Sequence, residues 1–147
     1  MSSERPKPAT TPCLCNALRQ ADRAVSRLYD EELRGAGLRT TQYSLLRWLR
    51  HAGEVRQRDL GALTSLDETT LTRNLRPLID AGWVDIRPGR DRREKLVRLT
   101  DAGAAKLREA RPAWERAQER LRSRLPKGIW SNLLSLLPEL ARLADAT

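Results

Sequence analysis

The most constraining feature of this sequence is an amphipathic helix pattern followed at once by a hairpin pattern. After Asp67, apolar residues recur at spacings of three and four, namely Leu71, Leu75, Leu78 and Ile79. Ala81-Gly82 ends that pattern. Residues 83–87 and 95–99 then alternate as strands do, and residues 88–93 between them are rich in turn formers and charge. The sequence therefore predicts a short helix packed beside a β-hairpin.

Two further helix patterns precede this unit. Thr40 or Thr41 can cap the first, whose apolar positions are Tyr43, Leu45, Leu46, Trp48 and Leu49 and which stops near His51 and Gly53. A compact helix with Leu60, Ala62 and Leu63 follows, and Ser65-Leu66-Asp67 supplies the next cap. Helices followed by a charged hairpin are the order of a winged helix-turn-helix. Pro77 removes one hydrogen bond from the third helix, so we expect a bend there.

Long helix patterns flank this middle part. The first runs from Thr11, as cap, and Pro12, at the first helical position, to Gly35. The second begins near Ala104, contains a Pro112 kink, and is separated by Pro126-Lys127-Gly128 from a final apolar helix. Their apolar faces are wider than one chain can cover, which favours a homodimer. We therefore assign residues 1–10 to a disordered tail, 11–37 and 104–147 to a dimerisation region, and 38–103 to a binding lobe.

The composition points to a polyanionic partner. The net charge is +9 and the sequence pI is near 10.7. The face of the third helix that lies opposite its leucines carries residues that suit the major groove of DNA, namely Thr69, Thr70, Thr72, Arg73 and Arg76. The hairpin carries Arg87 and Glu94 together with the residues that we expect at the minor groove, namely Arg90, Asp91, Arg92, Arg93 and Lys95. In that arrangement Asp91 would pair with Arg93 and hold its side chain extended.

Several classes of protein are disfavoured. No stretch approaches the ~18 apolar residues that a membrane span needs, and Met1 to Pro12 lacks a secretory apolar region, so we expect a cytoplasmic protein with no membrane partner. The single histidine, His51, rules out a site built on several histidines. An enzyme with Cys15 as nucleophile lacks a base, so we expect no enzyme and no cofactor. A basic interaction protein without DNA specificity is the remaining rival.

The sequence resembles the MarR family of bacterial transcription regulators. The resemblance is carried by residues 66–75, by Ala81-Gly82-Trp83-Val84, by the Asp91-Arg92-Arg93 wing and by residues 99–103, which read Leu-Thr-Asp-Ala-Gly. It extends over about residues 11 to 145. It implies a mainly α-helical winged helix-turn-helix with a small β-hairpin wing and long terminal dimerisation helices. It also implies a homodimer on a pseudo-palindromic double-stranded DNA operator, more often as a repressor.

Cys13 and Cys15 are the first candidates for a regulatory switch. A thiol in the first turn of a helix lies at the positive end of the helix dipole, and Arg19 one turn on acts in the same direction. The resemblance extends to the peroxide-sensing branch of the family, in which such a cysteine works with two tyrosines. Tyr29 matches one tyrosine, and Thr40 stands at the other. Three interpretations remain open: a thiol sensor of oxidants or electrophiles, a soft-metal site shared between two chains, and a plain pair of small helix residues.

A second switch is a pocket for an acidic aromatic inducer between the dimerisation helices and the binding lobe. The resemblance places near it Arg23, Tyr43, Arg47, Trp48, His51 and Trp114. Trp48 and Trp114 also suit a plain core role. His51 also suits a role at the end of its helix, as a cap or a partner of the terminal carbonyls.

Overall fold

The computed structural model describes residues 11–146, so the predicted disordered tail over residues 1–10 lies outside the described part. Six helices and three short strands follow one another, with a 3₁₀ turn over Arg34–Ala36 after the first helix. None of the helices within residues 11–146 combines the length and the apolar character that crossing a bilayer demands. The elements are α1 Leu14–Leu33, α2 Thr40–Ala52, β1 Val55–Arg56, α3 Gln57–Thr64, α4 Glu68–Asp80, β2 Val84–Pro88, β3 Lys95–Leu99, α5 Asp101–Arg122 and α6 Ile129–Asp145.

One apolar core holds the middle of the chain together. Of the predicted inward residues of α4, Leu71, Leu75 and Leu78 are buried and Ile79 is half-buried against them. They meet the buried leucines of α2 and α3 and one valine from each of β2 and β3. Ala110 and Ala113 of α5 close the core from the side of the long helices. Its largest fully buried side chains are Leu33, Leu45, Leu46, Leu49, Leu60, Leu71, Leu75, Leu78, Val84 and Val97.

The hairpin is part of a three-stranded antiparallel sheet with the order β1-β3-β2. Strand β3 spans the residues predicted from alternation, and β2 begins one residue later than predicted. The two-residue strand β1 was not predicted. It pairs Val55 with Val97 and Arg56 with Leu96, and such a long-range pairing leaves no local pattern. The mainly helical winged helix-turn-helix is thus confirmed, and its wing has one strand more than a simple hairpin.

The Leu-Thr-x-x-Gly run over residues 99–103 connects the start of α5 to the loop before β2. The Thr100 hydroxyl accepts the Gly103 N–H at 3.0 Å, which caps α5, and donates to the Gly82 carbonyl at 2.6 Å. A methyl group on Gly103 would overlap the Trp83 carbonyl and would lie 2.7 Å from Leu99 Cδ1. The start of α5 therefore lies directly against the loop that leads into the wing.

Three predicted details of the helices are wrong. Helix α1 begins at Leu14 with Cys13 as its N-cap, so Thr11 and Pro12 lie before the helix. The N-cap of α2 is Arg39, whose N–H is accepted by Gln42 Oε1, because Thr40 already has helical geometry. In α3 the buried pair is Leu60 and Gly61, whereas Leu63 and Ala62 are exposed.

Neither of the two prolines that were predicted to bend a helix, Pro77 and Pro112, ends its helix. Helix α4 continues past Pro77 to Asp80, and α5 continues past Pro112 to Arg122. The bends that proline would impose at these positions stay predictions.

The long helices are only partly covered by their own chain. Helix α1 packs on α5, Leu28 and Leu33 of α1 and Ala117 of α5 are buried, and Arg120 of α5 pairs with Glu31 of α1 at 2.9 Å. Helix α6, by contrast, has no buried residue. The large exposed apolar residues of α1 and α6 are Leu14, Leu18, Ile129, Leu133, Leu134, Leu136, Leu137 and Leu143.

Candidate nucleic-acid interface

Helix α4 begins at a tight side-chain cap. Asp67 Oδ1 accepts the Thr70 N–H at 2.8 Å, and Asp67 Oδ2 accepts the Thr70 hydroxyl at 3.0 Å. These two hydrogen bonds hold the pKa of Asp67 below its usual value, because they stabilise the carboxylate. The cap fixes where the helix starts and hence which residues face outward.

The outward face of α4 forms an open concavity. Thr69, Thr72, Arg73 and Arg76 are exposed and line it, together with Glu68, Pro77 and Asp80. The part of the chain that the structure describes shows no ion pair to either arginine, so both guanidinium groups can meet a base edge or a phosphate. The structure therefore brings together four of the five residues predicted on this helix.

Thr70 is placed differently from its four neighbours. It is half-buried, and both its N–H and its hydroxyl are engaged by Asp67. Its carbonyl accepts the Asn74 side-chain amide at 2.8 Å. The geometry gives Thr70 the role of closing the cap, which spacing along a helix could not reveal.

The wing tip is a closed turn with exposed charges. Gly89 N–H donates to the Glu94 carbonyl at 2.8 Å, and Glu94 N–H donates to the Asp91 carbonyl at 2.9 Å. Asp91 Oδ1 accepts the main-chain N–H of Arg93 at 3.1 Å. The expected Asp91–Arg93 ion pair is therefore replaced by a contact to the backbone, and Asp91 shapes the turn. The exposed basic residues around this turn are Arg90, Arg92, Arg93 and Lys95.

The basic residues at the base of the wing are paired. Arg87 Nε donates to Glu54 Oε2 at 2.9 Å, and Arg98 contacts Asp85 at 3.0 Å. The hydrogen bond from Arg87 lowers the pKa of Glu54. Arg87 thus joins β2 to the loop before β1, while the residues nearer the tip keep their charge free for a partner.

A second concavity lies between the wing, α3 and the start of α4, and it contains residues that the sequence did not single out. Arg56, Gln57 and Arg58 line it beside Arg93 and Lys95. Gln57 Nε2 donates to the Thr72 hydroxyl at 3.2 Å, and Arg56 lies 3.5 Å from Glu94. The only feature of the sequence that could have indicated these residues is the pair of arginines on either side of Gln57. The pairing of β1 with β3 brings Arg56 and Arg58 to this second concavity.

The two cysteines lie at the exposed start of α1. Cys13 is the N-cap and Cys15 lies in the first turn, and both thiols are free and exposed. Tyr29 is fourteen residues further along, about 21 Å at the rise of a helix, so a contact between Cys15 and Tyr29 requires two copies of the chain. The Tyr29 hydroxyl donates to Gln118 Oε1 of α5, and burial raises its pKa.

Within residues 11–146 no three His, Cys, Asp or Glu side chains gather as a metal site would require. A soft-metal site would therefore need the Cys13 and Cys15 thiols of two chains.

The six residues predicted to line the inducer pocket do not all lie together. Tyr43 stacks on Trp114 with ring centroids 5.8 Å apart, and the Arg47 guanidinium lies 4.4 Å from the centre of the Trp114 ring. Burial raises the pKa of Tyr43. Trp48 and His51 form an exposed edge-to-face pair instead. Arg23 lies on the exposed face of α1, so the structure brings together three of the six residues.

Known proteins match both the sequence and the fold. The profile of the MarR family matches residues 36–94. An uncharacterised HTH-type transcriptional regulator, YwoH of Bacillus subtilis, is 34% identical over 96 residues, which cover 65% of this chain and 70% of YwoH.

Solved structures agree. The M. tuberculosis regulator MosR, determined in complex with DNA, is 32% identical with a TM-score of 0.81, covering 91% of this chain and 97% of that one. A mutant of E. coli MarR bound to operator DNA is 27% identical with a TM-score of 0.76, covering 86% of this chain and 92% of that one. The family match and the full-length fold match together define a DNA-binding transcription regulator and not an enzyme. The chain belongs to the MarR family.

Proposed function

We propose that this regulator acts as a homodimer that reads a pseudo-palindromic operator with two copies of α4 and two wings. The observation that carries the proposal is the set of exposed arginines on α4, at the wing tip and at the start of α3, of which Arg73, Arg76 and Arg93 form no ion pair within residues 11–146. The exposed leucines of α1 and α6 support the dimer, because so wide an apolar surface is costly to leave in water.

The division of labour follows from chemistry. Thr69, Thr72, Arg73 and Arg76 face the major groove, where hydroxyls and guanidinium groups meet base edges and phosphates. The wing-tip side chains Arg90, Arg92, Arg93 and Lys95 reach the minor groove, whose negative potential attracts arginine. Asp91 keeps the turn in shape.

The test starts by selecting operator duplexes from a random library with the purified protein. Arg73→Ala is expected to lower operator affinity by about 5- to 100-fold and to relax the choice of base at one position in each half-site. Arg93→Ala is expected to weaken operator and scrambled duplex to a similar degree and to flatten the salt dependence. Arg27→Ala, an exposed charge loss on α1, serves as the matched control. Unchanged operator affinity in both interface variants would show that the interface is wrongly assigned.

Release from DNA by oxidation at Cys13 and Cys15 is the second part of the proposal. Both thiols are free and exposed at the start of α1, so an oxidant can reach them from solvent. The thiolate sulfur attacks the terminal peroxide oxygen and keeps the OH group as a sulfenic acid, while the O–O bond breaks and the alkoxide leaves and takes a proton from water to become the alcohol. Since Leu14 and Leu18 beside the thiols are exposed apolar residues of α1, the new polar group would disturb the region assigned to the dimer contact.

Organic peroxide, added as cumene hydroperoxide, is expected to release the wild type from a selected operator, and dithiothreitol is expected to restore binding. The Cys15→Ser variant should stay bound, and Cys13→Ser should show whether the second thiol is needed for the reversal. Release that persists in the double serine variant would remove both thiols from the mechanism. Release by Cu(I) or zinc without peroxide would favour the metal alternative.

An acidic aromatic inducer is the second candidate signal. The observation that favours it is the Arg47 guanidinium on the Trp114 ring, which offers a cation and an aromatic surface at the junction of α2 and α5. Benzoate is the simplest probe of this chemistry. Operator release by benzoate that disappears in Arg47→Ala would support this signal, and equal release in both proteins would count against it.

A further inference from the structure

The first turn of α2 is hydrogen-bonded on both sides to other helices. On one side Asp30 Oδ1, near the end of α1, accepts the Thr40 N–H at 2.7 Å. On the other side the Thr41 hydroxyl donates to Asn74 Oδ1 of α4 at 3.1 Å. The Asn74 side-chain amide donates in turn to the Thr70 carbonyl at 2.8 Å. A polar connection thus runs from the dimerisation helix to the recognition helix.

The contacts of Thr40 and Asn74 are not those by which a helix usually satisfies its own polar groups. The first N–H groups of a helix have no partner within it, and the usual partner is a nearby cap residue. For Thr40 the acceptor comes from another helix, ten residues earlier in the chain. Asn74 lies in the interior of α4, where asparagine is a poor helix former, and both functions of its amide are used. These placements indicate a role in orienting one helix against another.

We propose that Asp30, Thr41 and Asn74 are positioning residues that set the angle of α4 relative to α1, and thereby the half-site spacing that the dimer reads. The inference rests on the proposed dimeric reading of DNA. In such dimers the distance between the two recognition helices must match about one turn of the duplex. Every contact between the dimer helices and the recognition helix therefore affects the preferred spacing.

The experiment uses the full-length protein and a selected operator whose half-sites are moved together or apart by one and two base pairs. Thr41→Val removes the hydroxyl without a change of charge, and Thr41→Ser keeps it. Thr41→Val is expected to bind the original spacing about fivefold to tenfold more weakly and to lose most of the preference between spacings. Its affinity for scrambled duplex is expected to be unchanged, because every basic group remains. Asp30→Ala should behave alike, and Asp30→Asn, which keeps an oxygen acceptor, should resemble the wild type.

A preference for the original spacing that survives in Thr41→Val would overturn the proposal, and so would an equal loss on all duplexes, which is the mark of a general loss of folded protein. Thr41 is exposed, so its valine variant is expected to melt near the wild type, and it decides the question alone if Asp30→Ala does not fold. A wild type without any preference for spacing would contradict the proposed dimeric reading instead, so the two failures are distinguishable.

Discussion

At the residue scale, the structure separates side chains that look alike in the sequence. Thr69 and Thr70 are neighbours on one helix, yet Thr69 is exposed in the concavity on the outward face of α4, while Thr70 closes the cap of that helix. Arg87 and Arg93 both belong to the wing, yet the Arg87 side chain is held by Glu54 whereas the Arg93 side chain has no ion pair within residues 11–146. The exposed polar residues of α4 were predictable from the face of the helix opposite its leucines. Which of them keep a free polar group depends on partners elsewhere in the chain.

Gly103 gives a prediction about stability. Gly103→Ala places a methyl group against the Trp83 carbonyl and Leu99, so α5 or the loop before the wing must shift. We expect a loss of unfolding free energy of about 1–3 kcal/mol, the usual cost of overpacking. Urea unfolding followed by circular dichroism measures it. Gly35→Ala, where an added methyl group meets nothing within 4 Å, is the matched control. Equal stability of the two variants would contradict the close approach.

At the scale of elements, hydrogen bonds between neighbouring elements fix how the helices and the wing meet. Thr100 joins the start of α5 to the loop before β2, and Asp67 sets the start of α4. Periodicity predicted the existence of α2 and α4 because each buries one stripe of leucines. It placed the caps of α1 and α2 wrongly, because a Thr or Pro near a helix start is only one of several ways to satisfy the first N–H groups.

The Asp67 cap predicts a pH dependence. Its pKa is lowered in the folded state, so its contribution to stability is complete above the unfolded value, near 3.8, and is lost as the pH falls through the lower folded value. Asp67→Asn keeps an oxygen acceptor but does not titrate. In urea unfolding between pH 6 and pH 3, the wild type is therefore expected to lose more stability than Asp67→Asn. Parallel curves for the two proteins would show that the carboxylate charge has no such role.

At the scale of the whole molecule, the chain has a packed apolar core but also a large apolar surface that its own elements do not cover. The middle elements bury most of their leucines, whereas α6 has no buried residue. The exposed apolar residues of α6 and of the start of α1 are those that a partner must cover. Composition and helix pattern predicted this surplus from the sequence, because one chain of this length offers too few partners for it.

The uncovered apolar surface of α6 predicts what charged substitutions on that helix will do. Leu136 and Leu143 are 62% and 57% exposed in the single chain and lie on one face of α6. The double variant Leu136→Glu, Leu143→Glu is therefore expected to fold but to dissociate, since burying each leucine is worth about 2 kcal/mol. Light scattering should give the mass of one chain, and operator affinity should fall steeply. The control is Ser131→Glu, Ser135→Glu, which adds the same charges to the polar face. A double leucine variant that keeps the mass of a dimer would place the contact elsewhere.

Local pattern was enough to predict the order of the helices and strands, the buried stripe of α4 and the basic character of the wing, because each depends on spacing between residues close in the chain. It could not predict the strand at Val55, the position of Arg56 and Arg58 in the concavity beside the wing, or the pairing of Arg87 with Glu54. These, and the contact of Thr41 with Asn74, were decided only by the tertiary structure. Each of these depends on residues far apart in the chain that meet only once the core has formed, and local periodicity carries no information about such meetings.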